Sequence, residues 1–183
     1  MTSVASAGTV VSVNLSPRKG MRKTPVDRAL LLLDRGFAGD AHAGDWHRQV
    51  SLLALASIDT MRAKGLDVGP GDFAENITTS GVDLLALPVG STLRVGASVL
   101  LEISQIGKVC HSKCAIYYQA GDCVMPREGL FAVVRQAGDV AVGDAVTVVS
   151  LGDGMCDRTP EEAIREFERE HAEEAARETK KGT

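Results

Sequence analysis

The sequence predicts a mainly β domain, an all-β barrel or sandwich, on the strength of three observations. Short runs rich in Val and Leu recur along most of the chain, with Gly, Pro and Asp turn residues between them. Only seven of the 183 residues are aromatic, so the core is built mainly from Val, Leu, Ile and Ala. The length suits one well-buried domain, and a second full domain would be crowded.

Eight of these runs have the length and composition of strands. The predicted strands are residues 8–14, 29–34, 49–55, 75–79, 92–95, 99–104, 130–135 and 145–149. A short helix of about two turns is predicted over residues 57–65, because Ser57 suits an N-cap and Gly65 suits the position after a helix end.

A second helix is predicted at the C-terminus, where Thr159 caps, Pro160 occupies the first turn and Glu162 completes a capping box. The sequence therefore divides into a domain over residues 1–151, a linker over 152–158 and a charged helical tail over 159–183. The tail has only a narrow apolar stripe, around Ile164 and Phe167. We interpret the tail as a solvated helix that makes few contacts with the domain. The alternative is a role in homodimerisation or partner binding.

Charge and hydropathy exclude several classes of function. The net charge of −4 is concentrated in residues 157–183, which hold nine acidic and six basic residues, so the remaining chain is close to neutral. We therefore expect no nucleic-acid partner and no anionic membrane surface. The N-terminus lacks the pattern of a signal peptide, and the longest apolar run, residues 29–33, is too short to span a bilayer. A cytoplasmic location is expected, with reduced cysteines.

The most informative segment is residues 106–129, which contains three of the four cysteines. Its candidate functional side chains are Cys110, Cys114, Cys123, His111, Lys108 and Lys113. Neighbouring cations favour a thiolate, which attacks electrophiles and binds soft metals, so a reactive or sulfur-carrying cysteine is one interpretation. A zinc site made of three thiolates and one imidazole is a second, although no further Cys pair strengthens the pattern. Inert packing of the cysteines is the third.

A second polar cluster precedes the predicted strand at residue 49. The segment 34–48 contains His42, His47, Asp40, Asp45 and Arg48 among three glycines. A glycine-rich loop can bring backbone N–H groups and an arginine close to an anionic ligand. The histidines and aspartates could instead bind a metal, and an ordinary surface loop remains the third interpretation.

Two further segments carry candidate residues. The turn over residues 69–77 delivers Glu75 and Asn76 at the start of a strand, where Asn76 could hydrogen-bond a ligand or the backbone. Arg127 follows Cys123 by a few residues, and an arginine is suited to a bidentate grip on phosphate. A local salt bridge with Glu128 is the commoner role for such an arginine.

Taken together, these segments resemble the MOSC domain, which is named for the C-terminal domain of molybdenum cofactor sulfurase. The matching pieces occur in the family's order. They are Lys-Thr-Pro-Val at 23–26, Gly-Asp-Ala-His at 39–42 leading into Arg-Gln-Val at 48–50, Pro-Gly-Asp-Phe-Ala-Glu-Asn-Ile at 70–77, the cysteine segment at 110–129 and the glycine-containing close at 140–146. The resemblance covers about residues 8–150 and leaves the tail outside.

The resemblance implies a barrel-like β fold with a few short helices and a role around the molybdenum cofactor (molybdopterin). It implies sulfur carriage to that cofactor, or binding and delivery of it, through a cysteine whose thiolate holds a persulfide or contacts molybdenum. Cys114 is the first choice for this position, since Ser-Lys-Cys followed by Ala-Ile-Tyr resembles the signature of shorter members. Cys110 is the second choice and Cys123 the third.

The resemblance also implies which residues face the cofactor. Arg48, Lys108, Lys113 and Arg127 would face the pterin phosphate, His111 would add positive potential, and His42, Glu75 and Asn76 would line the same cavity.

The chain has no room for a pyridoxal-phosphate desulfurase domain. Pyridoxal phosphate binding is therefore an expectation for the family only, and we expect no pyridoxal phosphate bound to this chain. A separate cysteine desulfurase would load the sulfur, and a molybdoenzyme would accept it. The alternatives are a cofactor carrier without catalysis, a component of a system that reduces N-hydroxylated bases, and a structural zinc protein.

Overall fold

In a computed structural model, which describes residues 7–108 and 114–157, the fold is mainly β. The strands are β1 (Ala7–Leu15), β2 (Thr24–Val26), β3 (Arg28–Leu32), β4 (Gly36–Phe37), β5 (Val50–Ala54), β6 (Ile77–Ser80), β7 (Thr92–Val95), β8 (Val99–Ile106), β9 (Leu130–Gln136), β10 (Gly138–Ala141) and β11 (Ala145–Ser150). The helices of the described residues are α1 (Leu55–Ala63), α2 (Ala115–Ala120), α3 (Met125–Glu128) and a 3-10 turn at Leu84–Ala86. The predicted β fold is confirmed.

Seven strands close into a barrel in the order β11-β7-β8-β9-β5-β6-β1, because β1 also pairs with β11. The closing ladder is antiparallel and places Ala7 opposite Thr147. The second half of β1 turns away to pair with β2, which extends the sheet beyond the barrel. A parallel pair joins β5 to β6, and α1 lies in the connection between them, as a parallel pair requires a crossover.

A small three-stranded sheet, in the order β10-β3-β4, packs against the barrel. Its strands contribute Leu31, Phe37 and Val140 to the barrel core, and all three side chains are fully buried. The turn after β3 is fixed to the barrel because the Asp34 amide donates to the Val134 carbonyl at 3.1 Å. Gln49 joins the same turn to β9, donating to Asp34 and accepting from the Val134 amide.

The molecule has two apolar clusters. The barrel core is filled mainly by Val, Leu and Ile from alternating strand positions, which suits a core with few aromatics. The second cluster, here called the helical cluster, packs α1, α2 and α3 against the outside of β5 and β9. Its buried members are Leu53, Ile58, Met61, Val68, Phe73, Ile116, Cys123, Val124, Met125 and Phe131.

The helix predicted over residues 57–65 exists, but its start was placed too late. It begins at Leu55 with Ala54 at the N-cap and no side-chain cap, while Ser57 lies inside the helix and is buried. Packing in the helical cluster, rather than a cap, determines this start. The predicted tail at 159–183 lies outside the described residues. Within the described part of the chain, no helix is long and apolar enough to cross a membrane.

Candidate functional site

A group of four polar side chains, three of them buried and one half-buried, lies where the segment after β1 meets the loop after β4, and is here called the Lys23 cluster. Its members are Ser16, Lys23, Asp40 and His42. The Lys23 ammonium donates to Asp40 Oδ1 at 2.6 Å, and the two side chains are 0% and 1% exposed. The ammonium also lies 3.2 Å from Ser16 Oγ and 3.0 Å from His42 Nδ1. A buried ion pair with this many hydrogen bonds compensates the loss of hydration of both charges.

The electrostatics of the Lys23 cluster follow from burial and from its internal contacts. Burial acts to raise the pKa of Asp40, but contacts with His42, Lys23 and the Ser16 amide outweigh it and hold that pKa well below its usual range. Burial lowers the pKa of His42, the contact with Asp40 acts in the opposite direction, and the charges of Lys23 and Lys19 add to the lowering, so the pKa lies below its usual value. His42 is therefore neutral near pH 7.

An aromatic group with cations around it lies beside this cluster. The Trp46 ring stacks on His42 and donates its Nε1–H to the His42 carbonyl at 2.7 Å. Lys19 Nζ and Arg48 Cζ each lie 4.8 Å from the Trp46 ring centroid. Arg48 also lies 5.6 Å from the ring of Phe131, a member of the helical cluster. The arrangement concentrates positive charge over aromatic faces, which holds the cations in place.

Glu75 and Asn76 are both fully buried, and Glu75 is connected to the Lys23 cluster through Gly71, whose carbonyl accepts from the Lys23 amide at 2.9 Å. The Asn76 carboxamide accepts from the Ser51 amide at 3.1 Å and donates to the Asn14 carbonyl at 3.2 Å, so it joins β5 to β1. Glu75 Oε1 accepts from the Gly71 amide and the Thr78 hydroxyl, both at 2.7 Å. Glu75 Oε2 has no hydrogen-bond partner among the described residues, and burial raises the pKa of this carboxyl.

The cysteine segment is described only in part. Lys108 and Cys114 flank residues 109–113, so the predicted site residues Cys110, His111 and Lys113 lie outside the described residues. Gly107 has a φ of +68°, and a Cβ there would approach Pro126 O to 2.3 Å, so only glycine suits the position. The Lys108 amide then donates to Pro126 O at 3.1 Å, which fixes Lys108 beside α3.

The two described cysteines of this segment have different surroundings. Cys114 is exposed and immediately precedes α2, whereas Cys123 is buried in the helical cluster. Between α2 and α3, the Asp122 carboxylate accepts from both Arg127 Nη atoms, at 2.6 and 3.0 Å, and from Lys64 at 2.9 Å. Arg127 therefore forms a local salt bridge, with Asp122 as its partner.

Gln105 connects the loop after β4 to the start of the cysteine segment, because its Oε1 lies 2.7 Å from His47 Nε2 and its Nε2 donates to the Gly107 carbonyl at 2.7 Å. The charge of Lys108, the next residue, also contributes to lowering the pKa of Lys23. The largest cause of that lowering is burial, and the bond to Asp40 opposes it. Of the predicted site residues, His42, Arg48 and Lys108 are thus brought around one positively charged region. Arg127 lies with Asp122 at the helical cluster instead.

The structure shows no shared metal site among four described residues that were candidates for one, namely His42, His47, Asp40 and Asp45. His42 Nδ1 faces Lys23, and His47 Nε2 lies 2.7 Å from Gln105 Oε1. Among the described residues, the potential metal-binding group is Glu102, Cys156 and Asp157, at the opposite end of β9. There the Arg135 guanidinium pairs with both carboxylates, to Glu102 at 2.7 Å and to Asp157, and this anchors Asp157 to the barrel.

Four residues at the site, Lys23, Ser16, Lys19 and Trp46, were not predicted from the sequence. Lys23 belongs to the segment at 23–26 used for the resemblance, but its partner Asp40 is 17 residues away, and no local pattern pairs them. The short spacing of Trp46 between His42 and Arg48 was the available signal, since an aromatic ring among cations is a recurrent arrangement.

Comparison with known proteins agrees with the geometry. A family model, the MOSC domain, matches residues 39–147. The chain superposes on the YUAD protein from Bacillus subtilis with a TM-score of 0.68 at 17% identity, covering 79% of this chain and 96% of that one. It superposes on YiiM from Geobacillus stearothermophilus with a TM-score of 0.60 at 18% identity, covering 81% and 78% of the two chains.

YiiM from Escherichia coli gives a TM-score of 0.56 at 20% identity, with 81% of this chain and 70% of that chain covered. No curated protein sequence matches the chain. At these identities the structural likeness concerns the fold, and the family model is what assigns the sequence.

Proposed function

The chain belongs to the MOSC domain family, which is associated with the molybdenum cofactor, and we propose that it binds this cofactor or a precursor and carries sulfur on a cysteine. One observation carries the proposal: the positively charged region around the Lys23 cluster lies next to the cysteine-bearing segment. Gln105 joins the loop after β4 to the residue before Lys108, and Arg48 lies between the Trp46 ring and the Phe131 ring of the helical cluster.

The donor set of this region fits the phosphate of a pterin cofactor. Arg48 offers a planar guanidinium, Lys19 and Lys108 offer ammonium groups, and the half-buried His42 ring is neutral. Phosphate binding by such groups gains from partial burial, because the lower local dielectric strengthens each charge-assisted hydrogen bond. We assign phosphate binding to Lys19, Arg48 and Lys108, with Trp46 holding the first two in position.

The thiols supply the chemistry that a soft metal or a sulfur carrier requires. Cys114 is exposed and therefore accessible to a protein partner, whereas Cys123 is enclosed by apolar side chains. In sulfur loading, the Cys114 thiolate attacks the terminal sulfur of a persulfide on a desulfurase, a new S–S bond forms on Cys114, and the thiolate of the desulfurase leaves. No oxidant is needed, because one persulfide is exchanged for another. Cys110 is the second candidate for this role.

Sulfur loading is tested by incubating the full chain with a cysteine desulfurase and cysteine, followed by digestion and mass spectrometry. We expect an adduct of one sulfur atom, labile to cyanide, on the peptide that contains Cys114. Replacement Cys114→Ser should abolish it, and the matched replacement Cys123→Ser should leave it in place. Absence of any adduct on the wild-type chain overturns sulfur carriage, and an adduct confined to Cys123 overturns the assignment to Cys114.

A carrier without sulfur transfer is the second candidate, because Lys19 and Arg48, two of the three cations that would hold the phosphate, lie in connections other than the segment that bears Cys114. The two functions are separated by Cys114→Ser. Under pure carriage, this variant retains molybdenum and pterin as well as the wild type does, and neither protein forms a persulfide. Under sulfur transfer, the wild type loads sulfur and delivers it to an acceptor molybdoenzyme.

A further inference from the structure

The hydrogen-bond pattern around Lys23 has one consistent arrangement of protons. An ammonium group has three N–H donors and no acceptor. The Lys23 ammonium has three neighbours within bonding distance, namely Asp40 Oδ1 at 2.6 Å, His42 Nδ1 at 3.0 Å and Ser16 Oγ at 3.2 Å. Its three hydrogens therefore have three acceptors.

Two of these neighbours, Ser16 and Asp40, are in the accepting state for reasons independent of Lys23, and the third follows from geometry. The Ser16 hydroxyl donates to the Arg18 carbonyl at 3.2 Å, so its oxygen accepts from Lys23. Asp40 is ionised, and its second oxygen already accepts the His42 backbone N–H at 3.0 Å. His42 Nδ1 lies 3.7 Å from that oxygen, which is beyond hydrogen-bonding range, so its near neighbour is the ammonium.

The arrangement determines the His42 tautomer. A neutral imidazole carries one proton, and a nitrogen that accepts from an ammonium cannot carry it. The proton is then on Nε2, at the far side of the ring from Lys23. Within the described residues Nε2 makes no hydrogen bond, and the His42 side chain is 27% exposed although Lys23 is fully buried. The Nε2–H group is thus left available to a ligand.

We propose that Lys23 is a positioning residue whose ammonium fixes His42 as the Nε2–H tautomer, so that His42 is a neutral hydrogen-bond donor to the anionic group bound by Lys19 and Arg48. The donor half of this inference rests on the proposed function, since it names the phosphate as the acceptor. Lys23 itself makes no contact with the ligand, because its three hydrogens are already bonded. The Trp46 ring, stacked on His42, holds the imidazole plane.

The tautomer is tested by nitrogen-15 NMR of the full chain labelled at histidine, with the His42 signals identified by their loss in His42→Gln. We expect Nδ1 to resonate as an unprotonated nitrogen and Nε2 as a protonated one. Lys23→Met should abolish this pattern, moving the proton to Nδ1 beside Asp40 or producing an imidazolium. Ser16→Ala is the control and should leave the pattern unchanged. A protonated Nδ1 in the wild type, or no change in Lys23→Met, overturns the inference.

A second pair of variants tests the donor and does not depend on the folding of Lys23→Met. The amide of His42→Gln reaches about as far as Nε2, whereas that of His42→Asn reaches about as far as Nδ1. With inorganic phosphate as the probe, we expect His42→Gln to bind nearly as well as the wild type and His42→Asn to lose about tenfold in affinity. Equal affinities overturn the donor role. A wild type with the predicted tautomer that binds neither phosphate nor the cofactor overturns the proposed function and the donor role, and leaves the positioning by Lys23 standing.

Discussion

At the residue scale, the fully buried Lys23–Asp40 ion pair is the interaction around which the other site residues are arranged. Two opposite charges at 2.6 Å are tolerated in the interior because Ser16, His42 and the backbone satisfy their remaining hydrogen-bonding groups. The sequence predicted His42 as a site residue and offered Asp40 as a metal ligand. It could not predict the ion pair, since a lysine that ends a run of basic residues from Arg18 onward has no local signal for burial.

Glu75 offers a residue-scale prediction, since burial raises the pKa of this carboxyl. The folded protein then holds a proton that the unfolded chain releases above about pH 4.3, so the free energy of unfolding falls as the pH rises from there towards the raised folded pKa. Glu75→Gln removes this dependence, and it keeps an acceptor for the Gly71 amide and the Thr78 hydroxyl.

The measurement is urea unfolding of the wild type and Glu75→Gln between pH 4 and pH 8. We expect the variant to be at least as stable as the wild type at the upper end and to show the smaller fall. Asp139→Asn, which changes an exposed carboxyl on β10, should keep the wild-type slope. A variant that is less stable at every pH with an unchanged slope contradicts the assignment.

At the element scale, α2 and α3 are held by the Asp122 carboxylate. It accepts from Arg127 on α3, from Lys64 at the end of α1 and from the Cys123 amide at 2.8 Å. Helices of six and four residues are not stable alone, so they depend on such contacts and on the helical cluster. The segment that bears the cysteines is positioned in this way from α1.

We therefore predict that Asp122→Ala loosens α2 and α3 and exposes Cys123. The rate at which a thiol reagent modifies Cys123 should rise severalfold, and hydrogen exchange over residues 115–128 should accelerate. Asp59→Ala, which removes an exposed ion pair within α1, is the matched control and should change neither quantity. Unchanged reactivity of Cys123 in Asp122→Ala would show that apolar packing alone holds these helices.

The shortest strands and helices are the elements that could not be predicted from the sequence. All eight predicted strands are present, because each is a run of apolar or β-branched residues long enough to give a pattern. The strands β2, β4 and β10 were missed. They have two to four residues each, and they form only because a longer strand lies alongside. The helices α2 and α3 were missed for the same reason, since tertiary packing defines them.

At the scale of the whole molecule, the barrel depends on closure between β1 and β11. The first residues of β1 pair with Val146 and its neighbours and, on the other side, with β6. Gly8 lies at this junction, and a Cβ there would approach Ser80 O to 2.5 Å and the Val82 amide nitrogen to 2.7 Å. Both contacts are with backbone, which cannot move aside without opening the ladder.

Gly8→Ala should therefore lower the free energy of unfolding by about 1–3 kcal/mol, as expected for overpacking at a rigid contact. Thr9→Ala changes the next residue of the same ladder, whose side chain is exposed, and should have an effect within about 0.5 kcal/mol. Denaturant unfolding of both variants is the measurement. Equal stability of the two would show that the closing ladder tolerates displacement of β1.

The site is likewise a property of the whole molecule. Lys23 follows β1, His42 and Arg48 lie between β4 and β5, and Lys108 follows β8, so three separate connections meet. Motif order predicted that these segments serve one site. The role of each cation in the site could not be predicted. Contacts between residues distant in sequence decide whether a cation binds a ligand or a buried carboxylate.

Binding of the molybdenum cofactor by the positively charged region is measured by equilibrium gel filtration with cofactor released from a purified molybdoenzyme. Molybdenum and pterin are quantified in the protein fraction of the wild type, of Arg48→Met, and of Arg94→Met as a control that removes an exposed arginine on β7. We expect near-stoichiometric retention by the wild type and the control, with a loss of at least tenfold in affinity for Arg48→Met. Failure of the wild type to retain molybdenum and pterin, or equal retention by Arg48→Met, would contradict the proposed binding.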